Sequence, residues 1–495
     1  MAEADPAWAS QALPEDFAVT IDPSTKQISP DTIYGGSPPR ALRLSPAGQK
    51  ALAEIGGGRA RSPQARTLGR KLIDDGLAHP QPRRSLDPID VTIIIPAHDR
   101  VELLEETLAA LGTQAPVVLV DDGSSEPHLV ADAARRHGAR LVTRSTNGGP
   151  GAARSSGVSV VDTEFVAFLD SDCVPPPHWL ERLAHHFADP LVAAVAPRVV
   201  AAASSTRPGR YAAACGPLDL GDRPARVMPG TSVAYVPTAA LIVRRSALDA
   251  ATTPRGAFDP ALRVGEDVDL VWRLHNHGWR VRFDPNVEVL HAEPDTWREL
   301  LQRRYRYGTS AAPLSARHPD AIAPLVLHPW PTAVVMMLLA RRRALAAASF
   351  VGYLGVLGKR LGESDVGPWE TAKAAGSGVA QTWRGLGKYC TQLASPALVA
   401  TLLKRCSQAD SRWARRTAVA SLLLGPAVAE YVKKRPALNP ASFCAAYVAD
   451  DIAYGTGVWA GCIEHSTLVP VKPRLHIALP RSPRTKGKIN DQPVV

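Results

Sequence analysis

Val91-Thr92-Ile93-Ile94-Ile95-Pro96-Ala97-His98-Asp99-Arg100 is the stretch whose reading decides the fold. It opens on a continuous apolar run, typical of a parallel strand buried on both faces, and passes into a turn at the strand's carboxyl end. Working outward, the same unit repeats. Val117 to Val120, Arg140 to Thr143 and Phe165 to Leu169 read as further strands, with Pro150 to Val158 and Trp179 to Phe187 as connecting helices. The apolar runs Val192 to Ala196 and Ala239 to Val243 extend the sheet. Asp99 is expected to cap the helix after the first strand with Glu102 three residues on, burying Val101, Leu104, Leu108 and Leu111. Alternating strands and helices predict a doubly wound α/β domain over residues 91–310.

On either side the texture changes. Residues 1–30 are polar and Pro-interrupted and read as disordered or loosely attached. Residues 31–80 read as a small α/β module. Ala41 to Leu44 forms a short strand, Ser45 caps a helix carrying Leu52 and Ile55, and a second helix places Leu68, Leu72 and Ile73 on one side before Gly76. Residues 81–90 are a linker, 311–480 a helical region rich in Ala, Leu and Val, and 481–495 a disordered tail. Within the helical region, Thr332 to Ala340 and Ala344 to Leu357 are the most apolar runs. Arg341-Arg342-Arg343 separates them, and neither reaches the roughly 20 residues a spanning helix needs.

With 495 residues, 45% of them apolar, the chain can bury a large core and should form two or three units. Six cysteines without Cys-x-x-Cys spacing indicate neither a zinc ribbon nor a disulfide framework, which fits a reducing cytosol. The acidic start Met1-Ala2-Glu3-Ala4-Asp5-Pro6 lacks the apolar core of a secretory signal. A formal charge of +10 points to anionic partners. No helix-turn-helix, zinc-finger or aromatic RNA-binding signature accompanies it, so a phosphate-bearing substrate or an anionic membrane surface explains the charge without nucleic acid.

The strand ends carry the chemistry. Phe165 to Leu169 runs into Asp170-Ser171-Asp172, which places two carboxylates at the mouth of the sheet, where they can grip a divalent cation and, through it, a diphosphate. Val120-Asp121-Asp122-Gly123-Ser124-Ser125 ends another strand; Asp122 could accept from a base ring nitrogen or simply close an Asx turn. Asn147-Gly148-Gly149-Pro150-Gly151-Ala152-Ala153-Arg154 is a Gly-rich loop entering a helix, with an arginine able to face phosphates. Far downstream, Gly265-Glu266-Asp267-Val268-Asp269 supplies the carboxylates from which a base would come, Glu266, Asp267 and Asp269 all being candidates.

In this order the motifs resemble the family 2 glycosyltransferases, inverting enzymes of the GT-A fold, over about Val91 to Tyr307. The resemblance implies that Pro96, Arg100, Asp122, Arg154 and Asp170 bind the nucleotide sugar, that Asp172 binds a divalent cation (Mn2+ or Mg2+), and that Asp267 is the catalytic base. His291 matches a place where many such enzymes carry a histidine ligand, a structural role being the alternative. Gln302-Arg303-Arg304-Tyr305-Arg306-Tyr307 departs from the Gln-x-x-Arg-Trp of processive members, which argues against long-polymer synthesis. Gly35 to Ser45 and Asp450-Asp451-Ile452-Ala453-Tyr454-Gly455-Thr456-Gly457-Val458-Trp459 resemble, more narrowly, the mycofactocin-system glycosyltransferases. These imply transfer of glucose from UDP-glucose to a small peptide-derived acceptor, with the first module similar to winged-helix peptide-binding domains. A nucleotidyltransferase would place Gly-x-Gly-Thr-Arg after the first strand, where this chain has Pro96-Ala97-His98-Asp99. The protein is expected in the cytoplasm, held loosely on the cytoplasmic membrane face by Arg341-Arg342-Arg343 and Lys433-Lys434-Arg435 beside short apolar runs; a lipid-linked or cell-envelope sugar transferase at that face is the rival expectation.

Overall fold

The computed structural model describes residues 11–81, 89–362, 367–404 and 409–476. The expected tail over 481–495, residues 1–10 and most of the linker lie outside the described residues.

The first module comprises β1 (Phe17–Ile21), β2 (Lys26–Ser29), β3 (Thr32–Gly35), β4 (Arg40–Arg43), α1 (Pro46–Gly56), β5 (Arg59–Ala60), α2 (Pro63–Asp74) and β6 (Ala78–Pro80). The expectation of a loose segment over 1–30 is corrected from Phe17 onward. β1 is the central strand between β5 and β6, and its alternation buries Phe17 and Val19 against Ile55, Leu72 and Ile73. Two serines start the helices: Ser45 accepts from the Gly48 N–H and Ser62 from the Ala65 N–H, each followed by proline at the first helical position. The module docks through charge. Arg70 donates to both carboxylate oxygens of Asp189 at 2.5 and 2.8 Å, and Arg280 Nη2 meets Asp74 at 2.8 Å.

The large sheet starts with β7 (Val91–Ala97), α3 (Val101–Leu111), β8 (Val117–Asp122), α4 (Pro127–Arg136), β9 (Arg140–Arg144), α5 (Pro150–Val158) and β10 (Phe165–Leu169). These four strands are parallel in the order β9-β8-β7-β10, and every residue of β7 is buried, as its apolar run requires. The order reverses about β7, so the carboxyl ends of β7 and β10 open a crevice of the kind that binds ligands in such sheets. The helix after β7 departs from expectation: its N-cap is Arg100, in the left-handed region at φ 51°, with no side-chain cap. Asp99 instead accepts from the N–H and hydroxyl of Ser125, tying the turn after β7 to the turn after β8.

The chain continues through β11 (Cys173–Val174), α6 (Trp179–Ala184), β12 (Val192–Ala201), α7 (Arg207–Cys215), β13 (Ala225–Val227), β14 (Ala240–Arg244), α8 (Arg245–Ala250), α9 (Glu266–Asn276) and β15 (Arg280–His291). The sheet grows as β10-β14-β12-β15-β11, with β13 also on β15. It is mixed: β14 runs against both β10 and β12.

The helical part holds α10 (Trp297–Thr309), α11 (Ala311–Arg317), β16 (Val326–Leu327), α12 (Pro329–Leu339), α13 (Arg343–Gly362), α14 (Pro368–Leu393), α15 (Ser395–Leu403), α16 (Ala409–Lys434), α17 (Pro440–Glu464) and β17 (Arg474–Leu475), the last paired with β16. The Asp450 to Trp459 motif packs α17 onto α10 and α14, and Asp450 also accepts from the Tyr211 hydroxyl of α7 at 3.2 Å, which ties the helical part to the large sheet domain. A Cβ on Gly457 would collide with the Tyr305 carbonyl oxygen of α10, so glycine permits the approach. Asp450 pairs with Arg304 at 2.6 Å, and Asp451 accepts from Gln392 at 2.7 Å. No helix among the described residues is long and apolar enough to cross a membrane.

Candidate active site

One arginine joins the two acidic signatures. Arg154, buried on α5, donates from Nη1 to Glu266 at 2.8 Å and from Nη2 to the Asp170 carboxylate. The Gly-rich segment makes this possible by packing: a Cβ on Gly157 would run into Ile94 of β7, and Gly151 faces the Glu266 side chain. Arg154 was expected beside the donor phosphates. Both of these donors are engaged within the protein.

Asp122 is likewise engaged. Its Oδ1 accepts from Arg144 Nε at 2.6 Å and the Gly148 N–H at 3.1 Å, and its Oδ2 accepts from the Gly149 N–H at 2.7 Å. The buried carboxylate therefore shapes the Gly-rich loop. Pro96 and Arg100 stand at the end of β7, and the Arg100 charge reaches Asp172.

Asp172 and His291 meet through strand pairing, because β11 and β15 run antiparallel with Cys173 opposite His291. His291 Nε2 lies 3.6 Å from Asp172 Oδ1, and its Nδ1 lies 3.1 Å from Glu293 Oε1. Burial and the neighbouring Asp170 charge push the Asp172 carboxyl upward, against the opposing pull of His291. Burial would lower the His291 imidazole, but the Glu293 hydrogen bond and the Asp172 charge hold it above its ordinary value.

Among the three carboxylates of Glu266-Asp267-Val268-Asp269, geometry separates the roles. Glu266 pairs with Arg154, while Asp269 accepts from Arg273 Nε at 2.8 Å and faces His318 Nε2 at 2.9 Å. Asp267 makes no ion pair among the described residues and accepts only from the N–H of Val268. Burial and the adjacent Glu266 charge raise it to about 7. Gly265 sets this turn at φ 84°, where a Cβ would press on Leu314 and Ser310.

The Glycosyl transferase family 2 model matches residues 92–250. Over 489 residues the chain is 35% identical to the "Pre-mycofactocin glycosyltransferase" of Mycobacterium tuberculosis (strain ATCC 25618 / H37Rv), covering 94% of this chain and 98% of that protein. The chain belongs to the family 2 glycosyltransferases. A shorter likeness links it to the succinoglycan biosynthesis protein ExoO of Rhizobium meliloti (strain 1021), 37% identical over 100 residues, which cover 19% of this chain and 28% of that protein. Among solved structures, the mannosyltransferase PcManGT from Pyrobaculum calidifontis is similar at 19% identity and a TM-score of 0.37, over 72% of this chain and 89% of that chain.

Four residues near the acidic groups of this glycosyltransferase escaped sequence reasoning. Glu293 holds His291, and Arg303 of α10 in turn pairs with Glu293. Tyr235 and Tyr307 lie close enough to Asp267 for its charge to help raise their hydroxyls, burial being the larger cause; Tyr307 is pushed up to about 12. The Glu293 position was accessible from its spacing two residues after His291. Tyr235, in the loop between β13 and β14, carries no local signal.

Proposed function

We propose that this glycosyltransferase moves glucose, with inversion, from UDP-glucose to a small peptide-derived acceptor, and that it oligoglycosylates the redox cofactor pre-mycofactocin. The observation that carries this reading is the reach of the likeness. The pre-mycofactocin relative matches 94% of the chain, both flanking regions included. By contrast, the undecaprenyl-phosphate 4-deoxy-4-formamido-L-arabinose transferase of Edwardsiella ictaluri matches 19% of it, which does not favour a lipid-linked acceptor. The first module would recognise the peptide part of the acceptor. Its Ser37 hydroxyl accepts from the N–H of Ser232, in the same loop that carries Tyr235 toward Asp267.

Asp267 is the base. Its raised proton affinity and lack of an ion pair suit a group that takes the proton from the acceptor hydroxyl as that oxygen attacks the anomeric carbon. The bond to the donor phosphate breaks on the opposite face, and the nucleoside diphosphate leaves. A carboxylate and an imidazole 3.6 Å apart, the imidazole's second nitrogen occupied by Glu293, fit a divalent cation such as Mn2+ or Mg2+. Asp172 and His291 would hold it, and when bound it neutralises charge on the departing diphosphate. Arg100 would lie along the phosphates, while Pro96, Asp122, Asp170 and Arg154 frame the nucleotide from the strand ends and the Gly-rich loop.

The helical part would rest on an anionic membrane surface at the cytoplasmic face, since Arg341, Arg342 and Arg343 are exposed beside Leu338 and Leu345. Sedimentation with anionic vesicles tests this, and high salt should release the protein. The activity itself is tested by incubating the enzyme with pre-mycofactocin and a panel of nucleotide sugars. Mass spectrometry should show successive hexose additions with UDP-glucose. Absence of a shifted product with every donor would remove the acceptor assignment.

A further inference from the structure

α12, α14 and α16 line an open pocket of about 480 Å3, a size within the range of small-molecule sites. Val335, Leu339, Val379, Ala380, Trp383 and Ala418 make up most of its wall, and no lining residue is acidic. Its polar side chains face one another or the backbone. Trp383 Nε1 donates to Ser421 Oγ at 3.1 Å, and Thr417 Oγ1 lies 2.9 Å from the Ala414 carbonyl oxygen. A polar ligand would therefore find few partners there, whereas an aliphatic chain loses nothing by entering. One side is cationic. Arg341 lines the cavity and its guanidinium lies over the Trp413 ring at 5.0 Å, next to the exposed Arg342 and Arg343. Trp413 and the lining residue Leu338 are themselves 61% and 52% exposed, so the opening presents aromatic, apolar and basic groups together, the combination found at membrane interfaces.

We propose that this cavity takes one acyl chain of an anionic phospholipid, with Arg341 and its neighbours on the lipid phosphate. The proposal rests on the peripheral membrane reading and adds a specific seat for a lipid to it. Gly376 offers a clean probe, because a Cβ built there meets nothing within 4 Å and a larger side chain would project into open space without backbone strain. Gly376→Phe should fill part of the cavity while leaving transfer to a soluble acceptor unchanged. Displacing about two methylenes corresponds to roughly tenfold weaker binding.

The test uses the full chain with vesicles of phosphatidylcholine, with and without phosphatidylglycerol, carrying brominated acyl chains that quench tryptophan on contact. Phosphatidylglycerol vesicles should bind and quench, Trp383→Phe should remove a saturable part of the quenching, and Gly376→Phe should lower the affinity about tenfold. If Gly376→Phe binds like wild type, or quenching is undiminished by Trp383→Phe, the chain does not enter the cavity; this proposal falls and surface attachment stands. No binding to either vesicle defeats both. Quenching of Trp383 by a free brominated fatty acid, without vesicle binding, also overturns the proposal, because the occupant is then a dissolved amphiphile.

Discussion

At the amino ends of β12 and β15, Asp189 faces Arg70, and Asp74 faces Arg280 and Arg226. At the carboxyl ends of the same sheet, Asp170 and Glu266 share Arg154, while Asp172 and Asp267 lie close by without an arginine of their own. Burial acts in the same direction at both ends, raising carboxyl groups, yet the outcomes differ. Arg280 and Arg226 hold Asp74 below its ordinary value despite burial, whereas Asp172, Glu266 and Asp267 are all raised. The paired end is a fastening for the first module. The other end gathers four carboxyl groups around one arginine and one histidine, an arrangement that costs stability and raises the proton affinity of three of them.

The largest expected effect breaks the comparison at its unpaired end. Asp267→Asn should keep donor affinity and lower turnover by about two to four orders of magnitude, read by calorimetry and steady-state kinetics. In wild type the rate should rise with pH through about 7, where Asp267 loses its proton. The stability effect has the opposite sign. The folded value of about 7 lies above the unfolded 3.8, so the native state binds more protons between them and Asp267 weakens the fold as pH rises across that window. Asp267→Asn should therefore melt higher than wild type at pH 8. An unchanged or lower melting temperature would mean that Asp267 carries no such strain.

Next comes the paired end. Arg70→Met strands a buried Asp189 and should destabilise docking of the first module by about 3–5 kcal/mol, seen as faster hydrogen exchange over residues 17–80. Donor binding should not change. Asp74, lowered in the fold, adds stability that is lost only as pH falls below its ordinary range, so this end should resist mild acid. A smaller effect sharpens the site: Glu293→Gln loosens the hold on His291 and should weaken manganese binding roughly 10- to 100-fold. Smallest is Gly457→Ala, which forces α17 off α10 and should cost about 1–3 kcal/mol in chemical denaturation with little change in donor affinity.

The positions of the strands were legible because burial on both faces imposes a local signature, as in Ile93 to Ile95, and turns after such strands are local too. Hence Pro96, Asp122, Asp170 and Asp172 could be placed at strand ends from the chain alone. The first strand of the amino-terminal module was missed because its alternation, Phe17 and Val19 inward, is short and set among polar residues and prolines. The mixed direction of β14 was equally hidden, since an apolar run carries no direction.

Partnership was decided only by the tertiary structure. Arg154 reaches Glu266 across 112 residues, and His291 meets Asp172 through the β11–β15 pairing. Which of Glu266, Asp267 and Asp269 keeps an unpaired carboxylate depends on Arg154, Arg273 and His318, brought in from α5, from α9 itself and from beyond α11. A sequence specifies which groups can ionise and where local backbone turns. The proton affinity of each group is set by what the fold packs against it, because burial removes water and only a neighbouring charge or hydrogen bond replaces it.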